Sequence, residues 1–185
     1  MAFELVGLGQ LVTKMKIIFV RHGEPDYREL EERSYTGFGM DLAPLSEKGR
    51  QQAQELCPNP LLQSADLLVT SAVTRALETA SYVVRATGLP LRVEPLLHEW
   101  QVYEKGIENF ERARCLFLVN NGKLLPDSPI QYETAEEMKA RFLQTMIKYR
   151  DYQTVLVVAH RMLMRQFVPD EKIDFCQVIE CEVEI

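Results

Sequence analysis

The chain reads as an α/β protein built around a parallel sheet, and three observations point there. Short apolar runs of strand length, residues 17–20, 66–70 and 155–159, lack polar alternation, as strands covered on both faces do. Longer stretches with apolar residues at helical spacing separate them. Each run ends on polar or charged residues: Arg21-His22, Ser71 and His160. In an open α/β sheet ligands bind outside the carboxyl ends of the strands, so these residues stand where chemistry is expected.

The elements follow in order. After the strand at 17–20, Gly23 gives the backbone a sharp turn and close access for a ligand. Residues 25–44, with Pro25, Gly37, Gly39 and Pro44, read as a long polar loop of the kind that carries function. Ser46 caps a helix over 47–56, which Gly49 weakens slightly and Pro58 and Pro60 end. The strand at 66–70 leads to Ser71 and a helix over 73–86, with Ala76, Leu77, Ala80 and Val83 on one face and Gly88 at its stop. Residues 91–94 form an edge-like strand between prolines, and 107–119 a helix anchored by Phe110, Leu116 and Phe117. Thr134 and Glu137 make a capping box for a helix whose core stripe is Met138, Phe142, Met146 and Ile147. The strand at 155–159 delivers His160, and a short helix runs from 161 to 168, stopped by Pro169. The tail alternates Ile179, Cys181, Val183 and Ile185 with Glu180, Glu182 and Glu184, a half-exposed strand suited to a sheet edge and to pairing across a homodimer.

The 185 residues are enough for one domain spanning 1–185, with 1–14 as an N-terminal extension and Met15 as an alternative start. A net charge of −6 argues against general nucleic-acid binding, which needs a basic face, but leaves room for a local anion site. No apolar run reaches the length of a membrane span, and the first fourteen residues lack a basic n-region and a signal cleavage site. Cys57, Cys115, Cys176 and Cys181 are scattered without a C-x-x-C pair. They read as reduced thiols of a cytoplasmic protein.

If the strands are neighbours in a parallel sheet, His22 and His160 converge with Arg21, Arg75 and Arg161. Arg75 sits in the first turn of its helix, against the usual charge preference there, and a bound anion accounts for it best. Guanidinium groups match phosphate oxygens bidentately, and an imidazole can attack phosphorus and hold the phosphoryl group. The second histidine, if protonated, stabilises transition-state charge, and Glu99, after the third strand, is placed to protonate the departing oxygen. A lone histidine after a strand is more often structural; two at strand ends, one inside Arg-His-Gly, shift the balance to function. His98 reads as a loop-orienting residue, and no H-x-x-x-H spacing supports a metal site.

Arg21-His22-Gly23-Glu24 resembles the signature of the histidine phosphatase superfamily, also called phosphoglycerate mutase-like. In the same order, Leu45-Ser46-Glu47-Lys48-Gly49 with Gln51-Gln52-Ala53 resembles that family's L-[ST]-x-x-G-x-x-Q-A helix. Ser71 with Arg75-Ala76 and Thr79-Ala80 resembles its second phosphate-binding element, His98-Glu99 the position of its acid, and Val157-Val158-Ala159-His160 the strand to its second histidine. The resemblance implies a three-layer sandwich with a mainly parallel central sheet and helices on both faces. It also implies His22 as the phosphorylated nucleophile, Arg21, Arg75 and His160 as the phosphate pocket, Glu99 as acid and base, and no metal or other cofactor.

The chain departs from the family where Pro25 replaces Ser or Thr, Arg28 replaces Asn, and Arg161 replaces Gly. Arg28 could donate more strongly than the amide it replaces, and Arg161 could crowd the pocket or grip an acidic substrate. The expectation is a phosphomonoester hydrolase acting on a small phosphorylated metabolite. Two rivals stand beside it: a phosphoglycerate-mutase-type phosphotransferase, and a catalytically weak phosphoprotein-binding module.

Overall fold

The computed structural model describes residues 13–104, 106–168 and 172–185. Most of the 1–14 extension and the stop at Pro169 lie outside them. Five strands form one sheet: β1 (Lys14–Arg21), β2 (Leu67–Ser71), β3 (Leu91–Glu94), β4 (Thr154–Ala159) and β5 (Val178–Glu184). Their order is β3-β2-β4-β1-β5. β1, β2, β3 and β4 run parallel, and β5 lies antiparallel along the outer edge of β1. The helices are α1 (Arg28–Glu32), α2 (Glu47–Leu56), α3 (Thr74–Thr87), α4 (Ile107–Val119), α5 (Ala135–Met146) and α6 (Arg161–Met164).

Side chains alternate across a strand, so each central strand feeds two cores. Ile17, Phe19, Leu67, Val69, Val155 and Val157 face one side, where they meet Ala113 and Phe117 of α4, Met138, Phe142 and Met146 of α5, and α6. Ile18, Val20, Leu68, Leu156 and Val158 face the other, against Leu56 of α2 and Ala76, Ala80 and Val83 of α3. This is the expected three-layer α/β arrangement, and it explains why the central strands lack alternation.

The chain leaves β1 toward the α2–α3 face and leaves β4 toward the α6 face. The crevice between two adjacent parallel strands whose connections part in this way is the topological switch point of the sheet. Arg21 pairs in register with Ala159, and the amide of His22 still donates to the Ala159 carbonyl at 3.1 Å. His22 and His160 therefore leave the sheet side by side at that crevice.

Several expectations need correction. Residues 25–44 are not a plain loop: α1 and a 3-10 turn at Gly37–Leu42 lie within them. α6 ends at Met164, four residues early. Ile147 is 53% exposed in a 3-10 turn and leaves the core stripe that Met138, Phe142 and Met146 complete. Phe110 is partly exposed, packing edge-on against Trp100. The capping box at Thr134 forms as read, and so does the Ser46 cap, whose hydroxyl accepts from the Gly49 amide. The tail strand takes the sheet edge, with Glu180 and Glu182 paired to Lys16 and Lys14 of β1.

Candidate active site

The loop after β1 is held by contacts that fix His22 from below. The Gly23 amide donates to Thr79 Oγ1 at 3.0 Å, and Thr79 donates to the Arg75 carbonyl one turn earlier in α3. The Glu24 amide donates to Gln52, its carbonyl accepts from the Ser46 amide, and its carboxylate accepts from Ser46 and Lys48. Gly23 serves close packing here. A Cβ at Gly23 would stand 2.6 Å from the Gly49 carbonyl oxygen, and one at Gly49 would stand 2.1 Å from the Glu24 carbonyl oxygen. Only two glycines let α2 sit against this loop.

His22 is 4% exposed. Its Nδ1 lies 2.7 Å from the Gly23 carbonyl oxygen, which can only accept, so Nδ1 carries the proton. Its Nε2 faces Arg75 Nε at 3.3 Å, and a guanidinium can only donate. The lone pair of the imidazole is thus on Nε2, where it accepts from Arg75. Burial, with the Arg75 and Arg21 charges adding to it, pushes the His22 pKa from 6.5 to about 3. The ring is neutral at physiological pH, as an attacking nitrogen must be.

His160 is fully buried, 5.0 Å from His22 between ring centroids. Its Nε2 shares a hydrogen bond of 2.9 Å with Ser71 Oγ at the end of β2, and its Nδ1 is buried without a hydrogen-bond partner. Burial first, then Arg75 and His22, lower its pKa well below the ordinary value. The protonation on which the sequence reading made its charge-stabilising role conditional is thus disfavoured at rest; an entering phosphate dianion would supply the missing counter-charge.

Arg75 is 4% exposed in the first turn of α3. Arg21 stacks on the Phe175 ring at 3.8 Å and donates from Nη1 to the Ile173 carbonyl at 2.6 Å, while its Nε is buried without a partner. Glu99 is half-buried, its Oε1 accepting from the Trp100 amide at 2.9 Å. Burial raises its carboxyl above the usual range, against the pull of that N–H and of Arg75, Arg21 and Arg141. Arg161 opens α6, with its charge close enough to Arg21 to act on it. His22, His160, Arg21, Arg75 and Glu99 are thus brought together. Arg28 is not: its guanidinium is 83% exposed and clamps Asp26, with Nη2 2.6 Å from Oδ2.

Sequence reasoning missed three residues, Phe175, Asp41 and Tyr27, and gave Thr79 no role beyond its place in the motif. Phe175 supports Arg21 and lies 5.7 Å from the His22 ring. Thr79 follows Arg75 by one turn on the same helix face, a spacing that could have flagged it. Asp41 stands 3.9 Å from Arg75 Nη1, and Tyr27 lies within electrostatic reach of Arg75, Glu99 and Asp41. The approach of these last two depends on how residues 25–44 fold, which carries no periodic signal. Among the described residues no cluster of His, Cys, Asp or Glu is placed to hold a metal ion, and no helix is long and apolar enough to cross a membrane.

A profile of the histidine phosphatase superfamily (branch 1) matches residues 17–170. The chain belongs to that superfamily. It is 28% identical over 161 residues to the adenosylcobalamin/alpha-ribazole phosphatase of Escherichia coli K12, covering 80% of this chain and 74% of that one. Among solved structures, phosphoglycerate mutase from Bacillus anthracis superposes with a TM-score of 0.65 at 19% identity, over 93% of this chain and 89% of that one. Mycobacterial glucosyl-3-phosphoglycerate phosphatase superposes with a TM-score of 0.58 at 22% identity, over 83% and 77%. The two structural likenesses establish a shared fold.

Proposed function

We propose that the protein is a metal-independent phosphomonoester hydrolase working through a phosphohistidine on His22. The observation that carries this reading is the tautomer of His22. A buried neutral imidazole, its Nδ1–H held by the Gly23 carbonyl, presents an Nε2 lone pair among Arg75, Arg21 and His160. The phosphatase names of relatives support the same chemistry.

A phosphomonoester enters with its oxygens toward the Arg75 and Arg21 guanidinium groups and the unpaired nitrogen of His160. Nε2 of His22 attacks phosphorus, the P–O ester bond breaks, and the departing oxygen takes a proton from Glu99. The raised pKa of a buried carboxyl keeps that proton available. Glu99, now a carboxylate, takes a proton from water, the water oxygen attacks phosphorus, and the P–N bond breaks to release phosphate. Water and ester give alcohol and phosphate, and His22 returns to its starting state. The substrate is a small phosphorylated metabolite, and His22, Glu99 and His160 carry the reaction while Arg21 and Arg75 bind.

The test is hydrolysis of a panel of aryl and alkyl phosphates in the presence of EDTA, with wild type and Glu99→Gln. Turnover should persist with chelator. Glu99→Gln should lower kcat/KM, which reports phosphoenzyme formation, by about 10²-fold or more on alkyl phosphates while sparing it on aryl phosphates, whose leaving groups need no proton. Loss of activity on chelation, or equal losses of kcat/KM on both classes, contradicts this mechanism.

A further inference from the structure

Glu99 lies on an irregular segment between a 3-10 turn at Pro95–Leu97 and α4, so no regular element fixes its direction. The fixing comes from a buried ion pair that the proposed chemistry does not use. Glu133 and Arg141 are 5% and 8% exposed, and Arg141 Nη2 donates to Glu133 Oε2 at 3.1 Å, with a second, shorter bond from Nε to Oε1. The same two residues grip the Glu99 segment on both sides. Arg141 Nη1 donates to the Leu96 carbonyl. Glu133 Oε2 accepts from the Gln101 amide at 3.3 Å, the Glu133 amide donates to the Gln101 carbonyl at 2.9 Å, and the Glu133 carbonyl accepts from the Trp100 indole at 2.6 Å. The side-chain hydrogen bonds of this pair run within it or to residues 96–101.

A buried ion pair is weak as a source of stability, because desolvation offsets most of the attraction. One whose remaining side-chain hydrogen bonds converge on the segment carrying a single acid is better explained by geometry. We propose that Glu133 and Arg141 are positioning residues for Glu99, holding residues 96–101 so that its carboxyl meets the leaving oxygen. The inference rests on Glu99 being the general acid. Charge adds to position. Arg141 acts on the Glu99 carboxyl together with Arg75 from α3 and Arg21 from β1, and the Tyr27 phenol faces it from the segment before α1.

The experiment compares kcat and KM of Arg141→Met and Arg141→Lys with wild type on one alkyl and one aryl phosphate, across pH. Arg141→Met should lower kcat/KM on the alkyl ester by about 10²-fold, since a misplacement of about 1 Å costs that much. Its kcat/KM on the aryl ester, which reports phosphoenzyme formation and needs no proton donor, should stay within about threefold. Its alkaline limb should move to higher pH, since one of three cations facing Glu99 is gone. Arg141→Lys keeps a charge and a donor and should recover about tenfold of the loss. Should Arg141→Met not fold, the double variant Glu133→Gln with Arg141→Met removes both buried charges together and is read in the same way.

Alkyl and aryl kcat/KM falling together, or neither falling in a folded variant, overturns the positioning role. Glu99→Gln run in parallel separates the two levels. An alkyl-selective loss there with none in the Arg141 variants refutes positioning alone, whereas no alkyl selectivity in Glu99→Gln refutes the acid assignment itself.

Discussion

His22 is neutral when folded because burial and two arginines exclude a proton that a solvated imidazole would take up. That makes acid instability a property of the site. Below about pH 6.5 the unfolded chain binds a proton at this position and the folded one does not, until about pH 3. Stability is therefore full above the ordinary histidine pKa and falls as pH drops through that window, by up to about 1.4 kcal/mol per pH unit for this one group. His160 acts in the same direction. Urea unfolding at pH 7 and pH 4.5 checks it: His22→Asn should show a shallower loss on acidification than wild type. His22, His160, Arg21 and Arg75 were legible in the sequence because each stands at the end of an apolar run or in the helix turn just beyond it. Arg28 misled because its partner is local: Asp26, two residues earlier, takes the guanidinium before any substrate could. Asp41 and Tyr27 were invisible because only the folding of residues 25–44 brings them to Arg75.

At the scale of elements, the contact between α2 and the His22 loop depends on two glycines. Gly49→Ala on an open helix would stabilise it by about 1 kcal/mol. Here the added methyl meets the Glu24 carbonyl oxygen, which belongs to the backbone and cannot swing away. The substitution should instead cost about 1–3 kcal/mol by overpacking, and lower kcat through the displaced loop; urea midpoints and turnover measured together decide it. From its neighbours Gly49 read as a weak helix position, and the motif it completes gave no reason for a glycine there, since a close approach between distant segments leaves no local trace. The capping box at Thr134 was plain because its partners are three residues apart. Thr134→Ala should cost about 1 kcal/mol by thermal or urea unfolding.

The whole molecule brings its chemistry together through topology. β1 and β4 are distant in sequence but adjacent in the sheet, and their connections depart to opposite faces, so two histidines emerge at one crevice. The sheet and its layering could be read from three unalternating apolar runs, and the edge position of β5 from its strict alternation. Which strands neighbour one another could not be read from the runs themselves, since parallel pairing leaves no mark on either strand alone. The central claim is that this crevice transfers a phosphoryl group to His22 Nε2. It is tested most directly by rapid quenching with a ³²P-labelled phosphomonoester, comparing wild type with His22→Ala. Wild type should retain label that survives alkali and is released by acid, as a phosphorus–nitrogen bond is, and folded His22→Ala should retain none and lose at least about 10³-fold in kcat. Label persisting in the variant, or turnover near wild type without His22, would contradict the account.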